Sequence, residues 1–392
     1  MSLLTKRGTP LLFTVGACLL LLDREILRGL NPRTWPAPLK YAALVGVWGM
    51  VSSFWSLNPE HSFIIGLRLL LTFAGAMLFL NAARSLPPPQ AERLCTILLI
   101  SAGLFLVLFG LTTGKNSLMF QLLHDPARFH TDDDKGRFNT GMAILALISW
   151  AFLVVVAKRF GMRLATLMLV AVLVILFFAM TRAVFLAFGL GMVGAIATYI
   201  LGRRPLAIIF LSLAGIVFLM PFFLSLLFKI EFFRSIDKAS LEYVEWSTMH
   251  RLLIWKFAIT RFWEHPWLGW GMDVSRFLPG GNEPAVTWIQ GSELLPLHPH
   301  NGALQIWLEL GWGGALLTVA CLLSTWRLLT KLEKGRIWLA AATGAIITFF
   351  LLSLLSFGIW QSWWQTTLCF AFTLLVLAGR PPENRAPNGA ML

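Results

Sequence analysis

The 392-residue sequence predicts an all-α, polytopic transmembrane helical bundle of about 11–12 spans, and three observations carry that prediction. Hydrophobic residues make up 57% of the chain and charged residues 13%, with a mean hydropathy of +0.73. Soluble domains hold about 45–50% apolar and about 25% charged residues, so a soluble fold is excluded. Apolar runs of spanning length recur along the whole chain, and the basic residues fall between those runs instead of within them.

The runs lie at 39–57, 62–80, 93–112, 140–157, 164–181, 183–201, 205–228, 302–326, 337–357 and 362–379, with a shorter one at 11–22. Each long run reaches or approaches the ~20 residues that cross a hydrocarbon core of ~30 Å. No small-residue cleavage pattern follows the first run before Asp23-Arg24-Glu25, so that segment is expected to be retained. The N-terminal region then holds either two short passes or one that does not cross.

Lys and Arg number 32 against 19 Asp and Glu, a formal net charge of +13 that would suggest a nucleic-acid partner in a soluble protein. The distribution argues against nucleic acid. Arg84, Arg93, Lys158, Arg159, Arg163, Arg203, Arg204, Arg327, Lys331, Lys334, Arg336 and Arg380 sit in short connections between apolar runs. Cytoplasmic loops carry that bias. Placing them inside puts 58–61, 113–139, 229–301 and 358–361 outside. The 4 cysteines lie within apolar runs, where thiols behave as small hydrophobes, so no disulfide framework is expected.

Three units follow: an N-terminal transmembrane bundle over 1–228, an outer loop with amphipathic helices over 229–301, and C-terminal transmembrane helices with a short cytoplasmic tail over 302–392. Within the outer loop, Met249–Trp263 carries Leu252, Leu253, Trp255, Phe257, Ala258 and Phe262 on one broad face, predicting a helix lying on the membrane surface. Trp246, Trp255, Trp263, Trp267, Trp270 and Trp288 suit interface depth. All 7 histidines fall in the loops placed outside, which directs the search for chemistry to that side.

His298-Pro299-His300-Asn301 precedes the run that starts at Gly302, with Asn301 positioned to cap a helix through its side-chain oxygen. An imidazole at the positive end of a helix stays neutral near pH 7 and is a candidate general base. The ordinary alternative is a loop histidine bonded to backbone. Arg182 lies between two apolar runs with no polar loop around it, and a forked guanidinium there suits a diphosphate; snorkelling to lipid headgroups is the alternative. Arg68 is similarly flanked and ranks below it. A metal site is not expected. His-x-His supplies two ligands with no nearby cysteine, and Asp132-Asp133-Asp134 reads as a solvated run.

Thr181-Arg182-Ala183, Arg251 with Trp255 one helical turn later, His265-Pro266-Trp267-Leu268-Gly269-Trp270-Gly271, and His300-Asn301 followed by Leu304 and Glu309-Leu310-Gly311 occur in that order. In this order and on one common side, they resemble the O-antigen ligase and polymerase superfamily over roughly 164–330. The resemblance implies a bundle of the integral-membrane GT-C type in a bacterial inner membrane, with its active site facing the periplasm. It also implies transfer of a glycan from undecaprenyl diphosphate to a sugar hydroxyl of lipid A-core, without a nucleotide sugar, cofactor or required metal.

On this reading His300 is the base, with His298 as its substitute, and Arg182 and Arg251 hold the diphosphate. Arg137, Asn139, Arg261 and Asn301 are supporting candidates, while Gly269 and Gly271 are turn residues that let backbone approach closely. An acceptor hydroxyl needs a base, and a diphosphate leaves once its charge is neutralised. No carboxylate nucleophile is evident, which favours direct displacement with inversion. Two rivals remain open: a polysaccharide polymerase using the same lipid-linked donor, and an ion-coupled transporter, which would need internal repeats and mid-membrane ionisable residues.

Overall fold

The computed structural model describes residues 8–27, 30–112, 132–179, 181–230, 246–286 and 292–380, with the side chains of 105–112 and 132–138 outside the description. Among the described residues the architecture is all-helical, with one isolated bridge, Pro284 to Glu293. In chain order the helices are α1 (Gly8–Leu20), α2 (Arg24–Leu27), α3 (Ala37–Val51), α4 (Pro59–Ser85), α5 (Pro88–Thr112), α6 (Asp132–Phe160) and α7 (Met162–Phe178). They continue with α8 (Arg182–Leu201), α9 (Arg204–Leu227), α10 (Trp246–Glu264), α11 (Gly302–Lys331), α12 (Arg336–Leu355) and α13 (Ser362–Ala378). Each apolar run of the sequence falls on one helix. Among the described residues six helices, α4, α6, α8, α9, α11 and α12, are long and apolar enough to cross a membrane. The protein is a multi-pass helical membrane bundle.

Local chemistry starts and stops these helices. Asn58 caps α4 by accepting the His61 backbone N–H at 3.1 Å, and Pro59 follows at the first turn, where a missing N–H is harmless. Gly161, at φ +89°, turns the chain between α6 and α7. Packing inside the bundle uses small residues, as association in lipid favours close backbone approach. At Gly191 of α8 a Cβ would lie 2.4 Å from Thr348 Oγ1 of α12, and the Trp150 indole of α6 donates to the same hydroxyl at 3.1 Å. One buried cluster runs from Val45 to Ala378, so helices from both halves of the chain share a core.

The two ends of the bundle differ in chemistry. At one end basic side chains tie the short connections together. Arg159 donates to Thr96 Oγ1 at 2.8 Å, Arg203 to the Leu332 carbonyl at 2.6 Å, Lys334 to the Gly379 carbonyl at 3.0 Å, and Arg380 to the Leu86 carbonyl. At the other end Leu57 N–H meets the Trp270 carbonyl at 3.3 Å, Arg68 the Trp360 carbonyl at 2.7 Å and Trp255 Nε1 the Pro299 carbonyl at 2.9 Å. The described parts of loops 58–61, 229–301 and 358–361, which the charge pattern assigns to one side, thus converge. His61, His250, His265, His298 and His300 lie among them, while His124 and His130 fall outside the described residues.

Two expectations need revision. At 13 residues α1 is about 20 Å long, too short for a full pass. Its Thr9 lines a cavity with Leu86 and Leu377 at the basic end, and Ile26 accepts from Asn81 near the same end of α4. Over the described residues 8–27 the second of the two alternatives, a segment that does not cross, therefore fits better than two short passes. The helix expected to lie on the membrane surface, α10, instead turns Met249, Ile254, Ala258, Ile259 and Phe262 onto protein. Phe262 meets the Trp307 ring of α11 at 5.7 Å, and Trp263 Nε1 donates to Ser225 Oγ of α9 at 2.8 Å. Periodicity gives the apolar face but not what covers it.

Candidate functional site

The site is built on a break in α11. Gly311 has φ +56° and ψ −147° in mid-helix, which frees the carbonyls before it and the N–H after it. The His265–Gly271 loop fills the gap. Trp270 N–H donates to the Leu308 carbonyl at 3.0 Å, Gly271 N–H to the Glu309 carbonyl at 2.8 Å, and Trp312 N–H to the Trp267 carbonyl at 3.0 Å. Trp48 Nε1 donates to the Leu310 carbonyl at 3.0 Å, so the Leu308, Glu309 and Leu310 carbonyls and the Trp312 N–H all find partners across the break.

Above the break, Asn301 Oδ1 caps α11 by accepting Leu304 N–H at 3.0 Å, as its position in the sequence predicts. Its Nδ2 is 3.5 Å from Met220 Sδ, which fixes the side chain in the bundle. The residue before it, His300, has φ +52°, a conformation few non-glycine residues adopt and one that clusters at functional sites. His300 Nδ1 is 2.9 Å from the Ser356 carbonyl oxygen. A carbonyl only accepts, so Nδ1 carries the proton and, in the neutral ring, Nε2 keeps its lone pair. Among the described residues Nε2 has no hydrogen-bond partner.

Burial lowers the His300 pKa from its ordinary value, the Ser356 carbonyl opposes that shift, and the charge of Arg251 adds to it. The sequence argument rested on the helix N-terminus, and burial supplies a lowering that the sequence reading did not foresee. His298, 6% exposed, lies 4.3 Å from the His300 ring between centroids. Its Nδ1 accepts the His300 N–H at 3.2 Å and its Nε2 faces the Gln361 amide at 3.4 Å. Both of its nitrogens thus face protein groups, which distinguishes it from His300.

Arg251, on α10, lies within electrostatic range of His300. Arg182 is the first residue of α8. Thr348 Oγ1 donates to the Ala187 carbonyl and Arg336 to the Ile200 carbonyl, so α8 and α12 run antiparallel. That register brings Arg182 level with the Leu355–Ser356 end of α12, where His300 is anchored. The other sequence candidates divide. Arg261 is ten residues beyond Arg251 on α10, about 15 Å along the axis. Its guanidinium holds Glu264 at 2.9 Å and the Pro279 carbonyl at 2.8 Å, so the structure does not bring it to the histidines. Asn139 is exposed near the outer end of α6, and the side chain of Arg137 lies outside the described residues.

A second polar cluster was not anticipated from sequence. Glu309, 0% exposed, accepts from Asp273 N–H at 2.7 Å, Ser275 N–H at 3.3 Å, the Ser275 hydroxyl, Gln305 Nε2 at 3.1 Å and Trp360 Nε1 at 2.5 Å. Asp273, at φ +57°, pairs with His61 Nε2 at 3.0 Å and Arg276 at 3.4 Å. One signal was available: a carboxylate inside an apolar run is rare and marks function more often than packing. Among the described residues no group of three or more His, Cys, Asp or Glu is placed to hold a metal ion.

A family model described as O-Antigen ligase matches residues 167–319, the stretch that holds Arg182, Arg251, His298, His300, Glu309 and Gly311. Curated relatives include a protein named "Putative polysaccharide ligase" from Rickettsia conorii, 28% identical over 349 residues and covering 86% of this chain and 79% of the relative. Proteins of the same description from Rickettsia felis and Rickettsia prowazekii are 27% and 28% identical over 356 residues, covering 88% of this chain and 81% of each relative. No solved structure matches the chain. The order of motifs, the helical membrane bundle and these matches together support placing the chain with the O-antigen ligase superfamily, whose members are membrane glycosyltransferases of that type.

Proposed function

We propose that the protein transfers a glycan from undecaprenyl diphosphate to a sugar hydroxyl of lipid A-core, on the periplasmic face of a bacterial inner membrane. The observation that carries this reading is His300: its Nδ1–H is committed to the Ser356 carbonyl, its Nε2 lone pair has no partner among the described residues, and its pKa is lowered. An imidazole so held takes a proton from an acceptor hydroxyl as the oxygen attacks the anomeric carbon. His298 seats it and serves as the substitute assignment, and Asn301 fixes the turn between them and α11.

Arg251 beside His300, and Arg182 at the level of its anchor, supply cationic forks for the departing diphosphate, whose charge rises as the bond breaks. The neighbouring carboxylates are engaged elsewhere. Glu309 is enclosed by five donors and Asp273 is paired with His61 and Arg276, so neither is offered to a sugar as a nucleophile. Direct displacement with inversion follows. The matching experiment deletes the gene and examines the lipopolysaccharide. Loss of glycan from lipid A-core, with polymerised lipid-linked glycan accumulating, is the expected result. Lipid A-core capped by a single repeat unit would replace this reading with a polymerase.

A further inference from the structure

The segment Ser356–Gln361 touches both histidines. The Ser356 carbonyl takes His300 Nδ1–H, Gly358 lies so close to the His298 ring that a Cβ there would be 2.8 Å from its Cδ2, and Gln361 faces His298 Nε2 at 3.4 Å. The same segment is gripped from below. Ile359 N–H donates to Gln305 Oε1 at 3.0 Å while Gln305 Nε2 donates to Glu309, and the Trp360 indole donates to Glu309 directly. The Trp360 carbonyl in turn accepts from Arg68. Glu309 also holds the backbone of Asp273 and Ser275, so one carboxylate joins α11, the loop after α10 and the loop between α12 and α13.

From this geometry we infer that Glu309 is a positioning residue for the His300 base, acting through Trp360 and Gln305 on the Ser356–Gln361 segment. The inference rests on the reading of His300 given under Proposed function. Every partner of Glu309 is a donor, so an acceptor-only carboxylate matches all of them. An amide of the same shape turns one oxygen into an N–H group and sets it against the indole or the Ser275 backbone. The segment then loses a tether, and the Ser356 carbonyl no longer fixes the tautomer and direction of His300. Misplacement of a catalytic group by about 1 Å can lower turnover about 10²-fold.

The test uses the purified full chain with lipid-linked donor and acceptor, comparing Glu309→Gln, Trp360→Phe and the double variant, with His300→Ala in parallel. Each single variant is expected to lose kcat by about 10- to 100-fold while KM for the donor stays within about threefold. The double variant is expected to be no worse than the poorer single, because both cut one path. Trp360→Phe keeps an aromatic side chain in this buried position while removing the indole donor and part of its volume, so it answers the question even where Glu309→Gln fails to fold. Wild-type kcat in Trp360→Phe, a change confined to KM, or losses that multiply in the double variant would overturn the inference while an inactive His300→Ala leaves the base assignment standing. An active His300→Ala would overturn the base assignment and this inference with it.

Discussion

Gly269 and Glu309 meet backbone to backbone: a Cβ on Gly269, which has φ +72°, would lie 2.4 Å from the Glu309 carbonyl carbon and oxygen. Gly311 mirrors it, with φ +56° and a Cβ position 2.3 Å from the Trp267 carbonyl oxygen. Each substitution to alanine forces a left-handed conformation, which costs about 1–2 kcal/mol, and adds a clash with backbone that has no rotamer to yield. Gly311→Ala and Gly269→Ala are therefore expected to lose about 2 kcal/mol or more of stability. Thermal unfolding in detergent checks this, and an unchanged midpoint would show that the helix break is not locked by the loop.

Membrane orientation follows from the separation of the two ends. An impermeant thiol reagent applied to intact spheroplasts should modify a cysteine placed at Glu283 and should not reach one placed at Lys331. The opposite pattern would invert the bundle and move the histidines to the cytoplasmic side.

How much of this was legible in sequence depends on the kind of signal. Helix positions were, because an apolar run in lipid has to satisfy its own backbone. The cap at Asn301 and the close approach at Gly269 were also legible, since both depend on local residue type. Glu309, Asp273 and Trp360 were not, because their roles come from contacts 34 to 51 residues apart that no periodicity encodes. From sequence Arg68 could reach a headgroup or a neighbouring acid, and the structure gives it the Trp360 carbonyl, 292 positions away. Arg261 was a supporting candidate because it shares a helix with Arg251, but 10 residues of rise separate them.

The arginines carry a prediction about shape as well as charge. Arg182→Lys and Arg251→Lys keep the charge and lose the fork, and a hydrogen bond to a charged group is worth about 1.5–3 kcal/mol. Each variant is expected to fall about 10- to 100-fold in kcat/KM for the lipid-linked donor. Near-wild-type values in both folded variants would reject diphosphate binding by these residues.

Titration of His300 sets the pH dependence. Its neutral form is the base, and its pKa lies below the ordinary value, so kcat/KM should rise from acid with the midpoint of its acid limb below that of an ordinary imidazole. Arg251 contributes to the lowering, so in Arg251→Ala the residual activity should have its acid limb moved to higher pH. A limb that stays in place would separate Arg251 from the titrating group.

The central claim is that His300 accepts a proton during glycan transfer, and turnover of His300→Gln by purified enzyme with a chelator present tests it most directly. Glutamine keeps a hydrogen-bonding group at this position but is not a base near neutral pH. The expected loss is about 10²–10⁴-fold in rate, with insertion and expression unchanged. Near-normal turnover by His300→Gln would contradict the account.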